Sequence, residues 1–129
     1  MPKLMLIRGL PGAGKSTKAK AMVEADPSLY HFEADQYFVD ASGNYRFEPT
    51  ELEDAHTWCF SEARDALKNG SSVVVSNTFT RKWEMEPYRK LAKELGVELE
   101  ILEAKGDYGS IHGVPQKTVD AMRMRWEEL

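Results

Sequence analysis

A single cysteine among 129 residues, Cys59, rules out an internal disulfide framework. Its neighbours Trp58, Phe60 and Ala63 make it a small core residue in expectation rather than a reactive thiol. No apolar run approaches the roughly 20 residues needed to cross a bilayer. The chain does not open on a charged segment followed by an apolar stretch, so a cytoplasmic protein with no membrane partner is expected. Basic residues are in the minority: 17 Lys and Arg against 21 Asp and Glu give a net charge of −4. That sign is wrong for holding long duplexes by phosphate neutralisation, although a local basic cleft for a nucleic acid end remains compatible with it. Neither His56 nor His112 has a cysteine or carboxylate cluster beside it, so zinc is not expected. Repeats and low-complexity tracts are absent. The length suits one domain, 1–129.

Short apolar segments alternate with helical ones. Lys3–Arg8 is nearly continuous in apolar residues and stops at Gly9, as a strand buried on both faces would. Lys15 to about Ala25 has helical composition, with Ala19, Met22 and Val23 toward the sheet, and Asp26-Pro27 ends it. Leu29–Glu33 fits a second strand, and Asp40–Pro49 is turn-rich, a loop or small hairpin. Thr50 and Glu53 form a capping-box pattern for a helix from about Glu51 to Asn69, stopped by Gly70. Val73-Val74-Val75 is a third strand. A helix over about Thr80–Leu95 ends at Gly96, and Pro87 argues for a late start or a kink. Val97–Leu102 alternates like an edge strand, Lys105–Val114 is a loop, and Pro115 can open a last helix. This order predicts an α/β fold: a P-loop NTPase three-layer α/β/α sandwich with a mainly parallel sheet of about four strands. The ligand crevice should lie at the carboxyl ends of the strands.

Gly9-Leu10-Pro11-Gly12-Ala13-Gly14-Lys15-Ser16-Thr17 satisfies G-x-x-x-x-G-K-S/T between a strand and a helix. Glycines let the backbone curl until successive N–H groups face phosphate oxygens. The following helix adds its unpaired N–H groups and the positive end of its dipole. Lys15 is expected on the β- and γ-phosphates, Ser16 on Mg²⁺ and Thr17 on the α-phosphate, with ATP and Mg²⁺ as cofactors.

A P-loop alone does not separate kinases, ATPases and GTPases. Asp35 follows the second strand, where a carboxylate can take a proton from an attacking hydroxyl or help hold Mg²⁺; the alternative is a cap on a short helix over Asp35–Phe38. No Asn-Lys-x-Asp segment for guanine recognition is present, and the third strand ends Val75-Ser76-Asn77-Thr78 without the carboxylate of an ATP-hydrolysing motor.

Arg8–Thr17, Asp35-Gln36-Tyr37, Ser76-Asn77-Thr78, Trp83–Tyr88 and Ile111–Val114 together resemble the polynucleotide-kinase-like P-loop phosphotransferases over nearly the whole chain. The resemblance implies an ATP-dependent kinase in which Asp35 activates a hydroxyl and Lys15 and Ser16 hold phosphate and metal. It also implies the 5′-OH of a nucleic acid, or a nucleoside-like group, as acceptor. Two departures stand out. Phe38 occupies the position where the phage kinases place a phosphate-binding arginine. The stretch Gly106–Ser110 replaces an arginine-bearing lid, leaving Lys105, Arg81, Arg123 or a partner to supply a cation.

Other candidates are weaker. Asn77 and Thr78 either orient substrate or cap the next helix, and Arg81 with Lys82 is the one basic pair near the rim. His112 is a candidate site contact, whereas His56 reads as packing. Tyr37, Phe38, Tyr45, Phe79 and Trp83 form either a stacking surface or core, and Arg123 with Arg125 offsets Glu127 and Glu128 on a solvated face. Two rival functions are a nucleotide-binding regulatory or adaptor protein with little catalysis, and a kinase for a small metabolite or modified base.

Overall fold

The computed structural model describes residues 2–106 and 114–129. Four parallel strands, β1 (Lys3–Arg8), β2 (Tyr30–Phe32), β3 (Val73–Asn77) and β4 (Glu98–Glu103), lie in the order β2-β3-β1-β4. Arg8 is in register with both Asn77 and Glu103, so the carboxyl ends of the three neighbouring strands form one edge. The chain leaves β1 toward β2 and β3 on one side and reaches β4 on the other. The crevice of the sheet therefore opens between β1 and β3.

Side-chain alternation sorts the two faces. Leu4, Leu6, Val73 and Val75 pack with Cys59, Ala63 and Leu67 of α2 (Leu52–Lys68) and Tyr88, Leu91 and Ala92 of α3 (Glu86–Leu95). Ile7 and Val74 pack on the opposite face with Ala19, Met22 and Val23 of α1 (Lys15–Ala25). The result is the expected α/β/α sandwich. Each fully buried Val, Leu or Ile in it contributes about 1.5–3 kcal/mol. Cys59 is among these core residues, and burial pushes its thiol up to about 11.

Several boundaries differ from the sequence expectation for local reasons. β2 stops at Phe32, because Glu33 turns out of the ladder to begin a 3₁₀ turn, Ala34–Phe38. Thr50 is not the helix cap: Glu48 accepts from the Thr50 N–H, Pro49–Glu51 forms a 3₁₀ turn, and α2 begins at Leu52. The stop at Gly70 is as expected: its φ of 88° lets Gly70 and Ser71 donate back to Leu67 and Ala66. Pro87 delays α3 to Glu86, and a 3₁₀ turn, Lys82–Met85, takes up the preceding chain. The turn-rich segment is a small hairpin, with Val39 bridged to Tyr45 around an Asp40–Asn44 turn. The last helix, α4, spans Gln116–Arg125.

Arg8 ends β1 with a fully buried guanidinium. Its Nε and Nη2 donate to the Phe79 carbonyl at 3.1 and 2.8 Å, and Nη2 also reaches the Glu127 carbonyl at 2.7 Å. The guanidinium lies 4.0 Å above the Trp126 ring. Nη1 has no hydrogen-bond partner, a cost that the stacking on Trp126 offsets in part. Phe79 holds a φ of 44°, in the left-handed region, at a cost of roughly 1–2 kcal/mol for a residue with a Cβ. Arg8 thus fastens the loop after β3 and the segment after α4 to the strand that feeds the P-loop.

Candidate functional site

The P-loop wraps the start of α1. Gly12 and Gly14 take φ of 83° and 91°, which only glycine adopts without strain. At Gly9 the reason is space: a Cβ there would stand 2.8 Å from the Ala104 carbonyl oxygen and 3.1 Å from the Lys15 Cγ. Lys15 Nζ donates to the Leu10 carbonyl at 3.0 Å. Burial lowers its ammonium to about 8, against the opposing pull of Glu33 and Asp35. A cation kept partly desolvated, with the neutral Leu10 carbonyl as its one hydrogen-bond partner among the described residues, is poised for polyanionic phosphate.

Beside it lies a buried polar network that sequence reasoning did not find. Ser16 Oγ donates to Glu33 Oε2 at 2.6 Å, and Ser76 Oγ donates to the same oxygen at 2.8 Å. His31 Nε2 stands 2.6 Å from Ser76 Oγ and 3.4 Å from Glu33 Oε2. Since the Ser76 hydrogen is committed to Glu33, its oxygen accepts from His31, and the ring proton sits on Nε2. Burial works against ionising Glu33, but hydrogen bonds from His31, Ser16 and Ser76 prevail and hold its carboxyl at about 2. A hydroxyl bonded to a carboxylate that is ionised at neutral pH is an all-oxygen donor set suited to a hard cation such as Mg²⁺, with Ser16 and Glu33 as the residues that would hold it. Glu33 immediately follows β2, and its carboxylate accepts from Ser76 of β3, a strand that ends without a carboxylate of its own. Its only signal in the sequence was its place two residues before Asp35.

One cleft of about 440 Å³ collects most of the predicted residues. Pro11, Gly12, Gly14, Lys15, Ser16, Thr17, Asp35, Asn77 and Thr78 all line it, whereas Gly9 and Ala13 support the loop from behind. Asp35 accepts from the Tyr45 hydroxyl at 3.0 Å. Burial, with Asp35 adjacent, drives the Tyr45 phenol well above its ordinary value, so it remains a hydrogen-bond donor. Asn77 is mostly buried and accepts from the Ala34 N–H at 2.9 Å, which fixes the turn that carries Asp35. Arg81 does not line the cleft; it stands 3.7 Å from Glu127. His112 lies outside the described residues.

Three placements correct the sequence reading. Arg125 faces the cleft rather than only a solvated surface, and its Nε donates to Thr80 Oγ1 at 3.3 Å. His56 also lines the cleft, and the partial desolvation there lowers its imidazole. Of the five rings considered for stacking, only Tyr45 lines the cleft. Phe38 and Phe79 are core, Tyr37 packs against Phe38 and Trp58, and Trp83 stands exposed elsewhere. Phe47, which was not singled out, joins Tyr45 there. On the β4 side of the P-loop a second hollow of about 820 Å³ is lined by Leu10, Ala104, Lys105, Arg123 and Trp126 among others. Pro11 borders both hollows.

A family model described as an AAA domain matches residues 4–129. NEDD4-binding protein 2 of Homo sapiens is 39% identical over 92 residues, 70% of this chain but only 5% of that protein's length. Among solved structures, a chain of the Pnkp1/Rnl/Hen1 RNA repair complex superposes with a TM-score of 0.74 at 16% identity, over 96% of this chain and 43% of that one. Kti12 of Chaetomium thermophilum, in complex with ADP-AlF3, gives 0.70 at 16% identity over 97% and 80% of the two chains. A gluconokinase of Sinorhizobium meliloti 1021 gives 0.64 at 17% identity over 98% and 76%. At such identities these structures share the fold and no more. The P-loop geometry and the family match over nearly the whole chain make this protein a member of the AAA-domain family, built on the fold of the polynucleotide-kinase-like P-loop phosphotransferases.

Proposed function

We propose that this protein moves the γ-phosphoryl group of ATP to a hydroxyl, with Asp35 as general base and the 5′-OH of a nucleic acid or a nucleoside-like compound as acceptor. The observation that carries the reading is that Lys15, Ser16 and Asp35 line one cleft. The acceptor oxygen attacks the γ-phosphorus, its proton passes to the Asp35 carboxylate, and the bond to the ADP oxygen breaks. The products are a phosphate monoester and ADP. Such base assistance is worth roughly 10²–10⁴ in rate. Lys15 and the P-loop N–H groups carry the charge of the phosphates, and among the described residues Arg125 is the second permanent cation lining the cleft. Ser16 and Glu33 are the residues that would hold Mg²⁺, which would supply charge neutralisation at the phosphates.

Direction follows from the same arrangement. Asp35 lies on the β2 side of the P-loop, so the γ-phosphate points that way. The nucleoside end of ATP then leaves toward β4, where the second hollow offers Trp126 and the Ala104–Gly106 segment. The structures named as part of an RNA repair complex and as a gluconokinase share this fold, which is in keeping with a kinase and selects no acceptor.

The test is transfer of label from γ-labelled ATP with Mg²⁺ to 5′-OH single-stranded DNA, 5′-OH RNA, nucleosides or water. Label on a hydroxyl acceptor that is lost in Asp35→Asn is the expected result. Nucleotide binding with no transfer to any of them rejects the reading in favour of a regulatory nucleotide switch.

A further inference from the structure

The acceptor side of the cleft has a chemical character of its own. Between residues 35 and 56 the lining consists of Asp35, Tyr45, Phe47, Leu52 and His56. Phe47 is 48% exposed and Leu52 42% exposed, so two large apolar side chains face open space inside a cleft. The Tyr45 and Phe47 rings are parallel within 10°, with centroids 6.5 Å apart. Phe38, buried beneath them, meets Phe47 edge-on at 5.1 Å and Tyr45 at 6.3 Å. Fixed rings of this kind add a further planar ring at little entropic cost.

Among the described residues no lysine or arginine belongs to this wall. Arg46 lies between Tyr45 and Phe47 in sequence, but alternation along the extended chain turns it away, and its Nε donates to Asp40 Oδ2 at 2.8 Å. Among the described residues of the whole cleft the permanent cations are Lys15 and Arg125. Lys15 belongs to the P-loop, and Arg125 is tied to Thr80 on the β3–α3 connection. Carboxylates from Glu33, Asp35 and Glu84 line the same cleft. A second phosphate group brought in by the acceptor would meet that negative charge with no arginine or lysine on its own wall. His56 offers ring nitrogens to the polar edge of a base, and Tyr45 hydrogen-bonds Asp35, joining the aromatic wall to the candidate base.

We infer that the acceptor is a nucleoside-like hydroxyl compound with an uncharged planar ring, seated on the Tyr45–Phe47–Leu52 wall, rather than a phosphate-bearing strand. This inference rests on the phosphotransferase reading and narrows it.

The experiment uses full-length protein saturated with ADP and Mg²⁺. Adenosine, guanosine, cytidine and uridine are titrated in calorimetrically, each beside its 3′-monophosphate, and a 5′-OH oligonucleotide is included. At least one nucleoside should bind, and its 3′-monophosphate should bind about 10-fold or more weakly. Phe47→Ala should weaken that nucleoside about 10-fold, the scale of one lost base–aromatic stack, and leave ADP affinity unchanged. Phe47→Tyr should restore it. Equal or tighter binding of the phosphorylated forms or of the oligonucleotide overturns the inference, as does failure of every nucleoside to bind. A loss of ADP affinity in Phe47→Ala overturns it differently, by giving the wall to the base of ATP. Label transfer from γ-labelled ATP with Mg²⁺, with ADP left out, to the same acceptors separates the two layers. Transfer to oligonucleotide ends without nucleoside preference keeps the phosphotransferase reading and sinks this one. Nucleoside binding with no transfer to any acceptor supports the ligand class and sinks the phosphotransferase reading alone.

Discussion

The two ends of the cleft are built by opposite means. The candidate phosphate end is a contiguous segment, Gly9–Thr17, which offers backbone N–H groups and one lysine. Its shape is fixed by two left-handed glycines and by the close approach of Ala104 to Gly9. The candidate acceptor end is, among the described residues, an assembly of side chains from a 3₁₀ turn, a hairpin and the first turns of α2, apolar except for Asp35, Tyr45 and His56. Backbone recognises what every triphosphate has in common; side chains can be changed one at a time to suit an acceptor. The difference places chemistry common to all triphosphates and chemistry particular to one acceptor on separate elements of one sheet edge.

If that division is right, substitutions should act on one end without the other. The largest effect is expected from Lys15→Met, which removes the P-loop cation. Turnover should fall roughly 10³-fold or more, with weakened ADP binding, while nucleoside affinity at the far wall stays as it was. Calorimetry on both ligands checks this, and a parallel loss of nucleoside affinity would break the division. Asp35→Asn should lower the rate of transfer by about 10²–10⁴ and leave ADP affinity unchanged. Unaltered turnover would remove Asp35 from the chemistry.

Glu33 belongs to the phosphate end although β2 carries it, and its effect should be on stability and metal together. Its carboxyl sits at about 2, against an ordinary 4.5, so the unfolded chain binds the extra proton between those values. The stabilisation, on the order of 3 kcal/mol, is fully present above about pH 4.5 and is lost as pH falls toward 2. Glu33→Gln should be less stable at neutral pH and should flatten the acid limb of a urea-denaturation series over that window. The same variant should shrink the gain in ADP affinity that Mg²⁺ confers. A variant with an unchanged acid limb would mean that Ser16, Ser76 and His31 do not hold the carboxylate as described.

Why some of this was legible in the sequence and some was not follows from where the constraints lie. The P-loop, β1 and the Val73–Val75 run are specified by residues adjacent in the chain, so pattern alone located them. The network at Glu33 joins residues 17, 2 and 43 positions away, which only the β2-β3 register and the P-loop turn bring together. Phe47 sat in a turn-rich stretch whose hairpin pairing decides which side chains face inward. Arg125 looked like one member of a charged helix end, and its orientation depends on Thr80, whose place is set by buried Arg8. The Thr50–Glu53 pattern failed because Glu48 and Pro49, immediately upstream, made a competing 3₁₀ turn.

The smallest effect is also the most direct probe of the candidate phosphate end. Lys15 has its ammonium lowered to about 8 by burial, so above that pH a growing share of the free protein carries it neutral. Phosphates bound against it favour the charged form and raise its affinity for a proton. Binding of ADP at about pH 8.5 should therefore take up a fraction of one proton. Uptake should fade toward pH 6.5, where Lys15 is charged with or without ligand. Calorimetric titrations in buffers of different ionisation enthalpy measure that fraction. Lys15→Arg should abolish it while keeping a cation, because a guanidinium stays charged throughout this range. If wild type and Lys15→Arg give the same proton count, the lysine is not desolvated as its hydrogen bond to Leu10 and its burial imply. The preparation of the site for phosphate would then rest on the backbone alone.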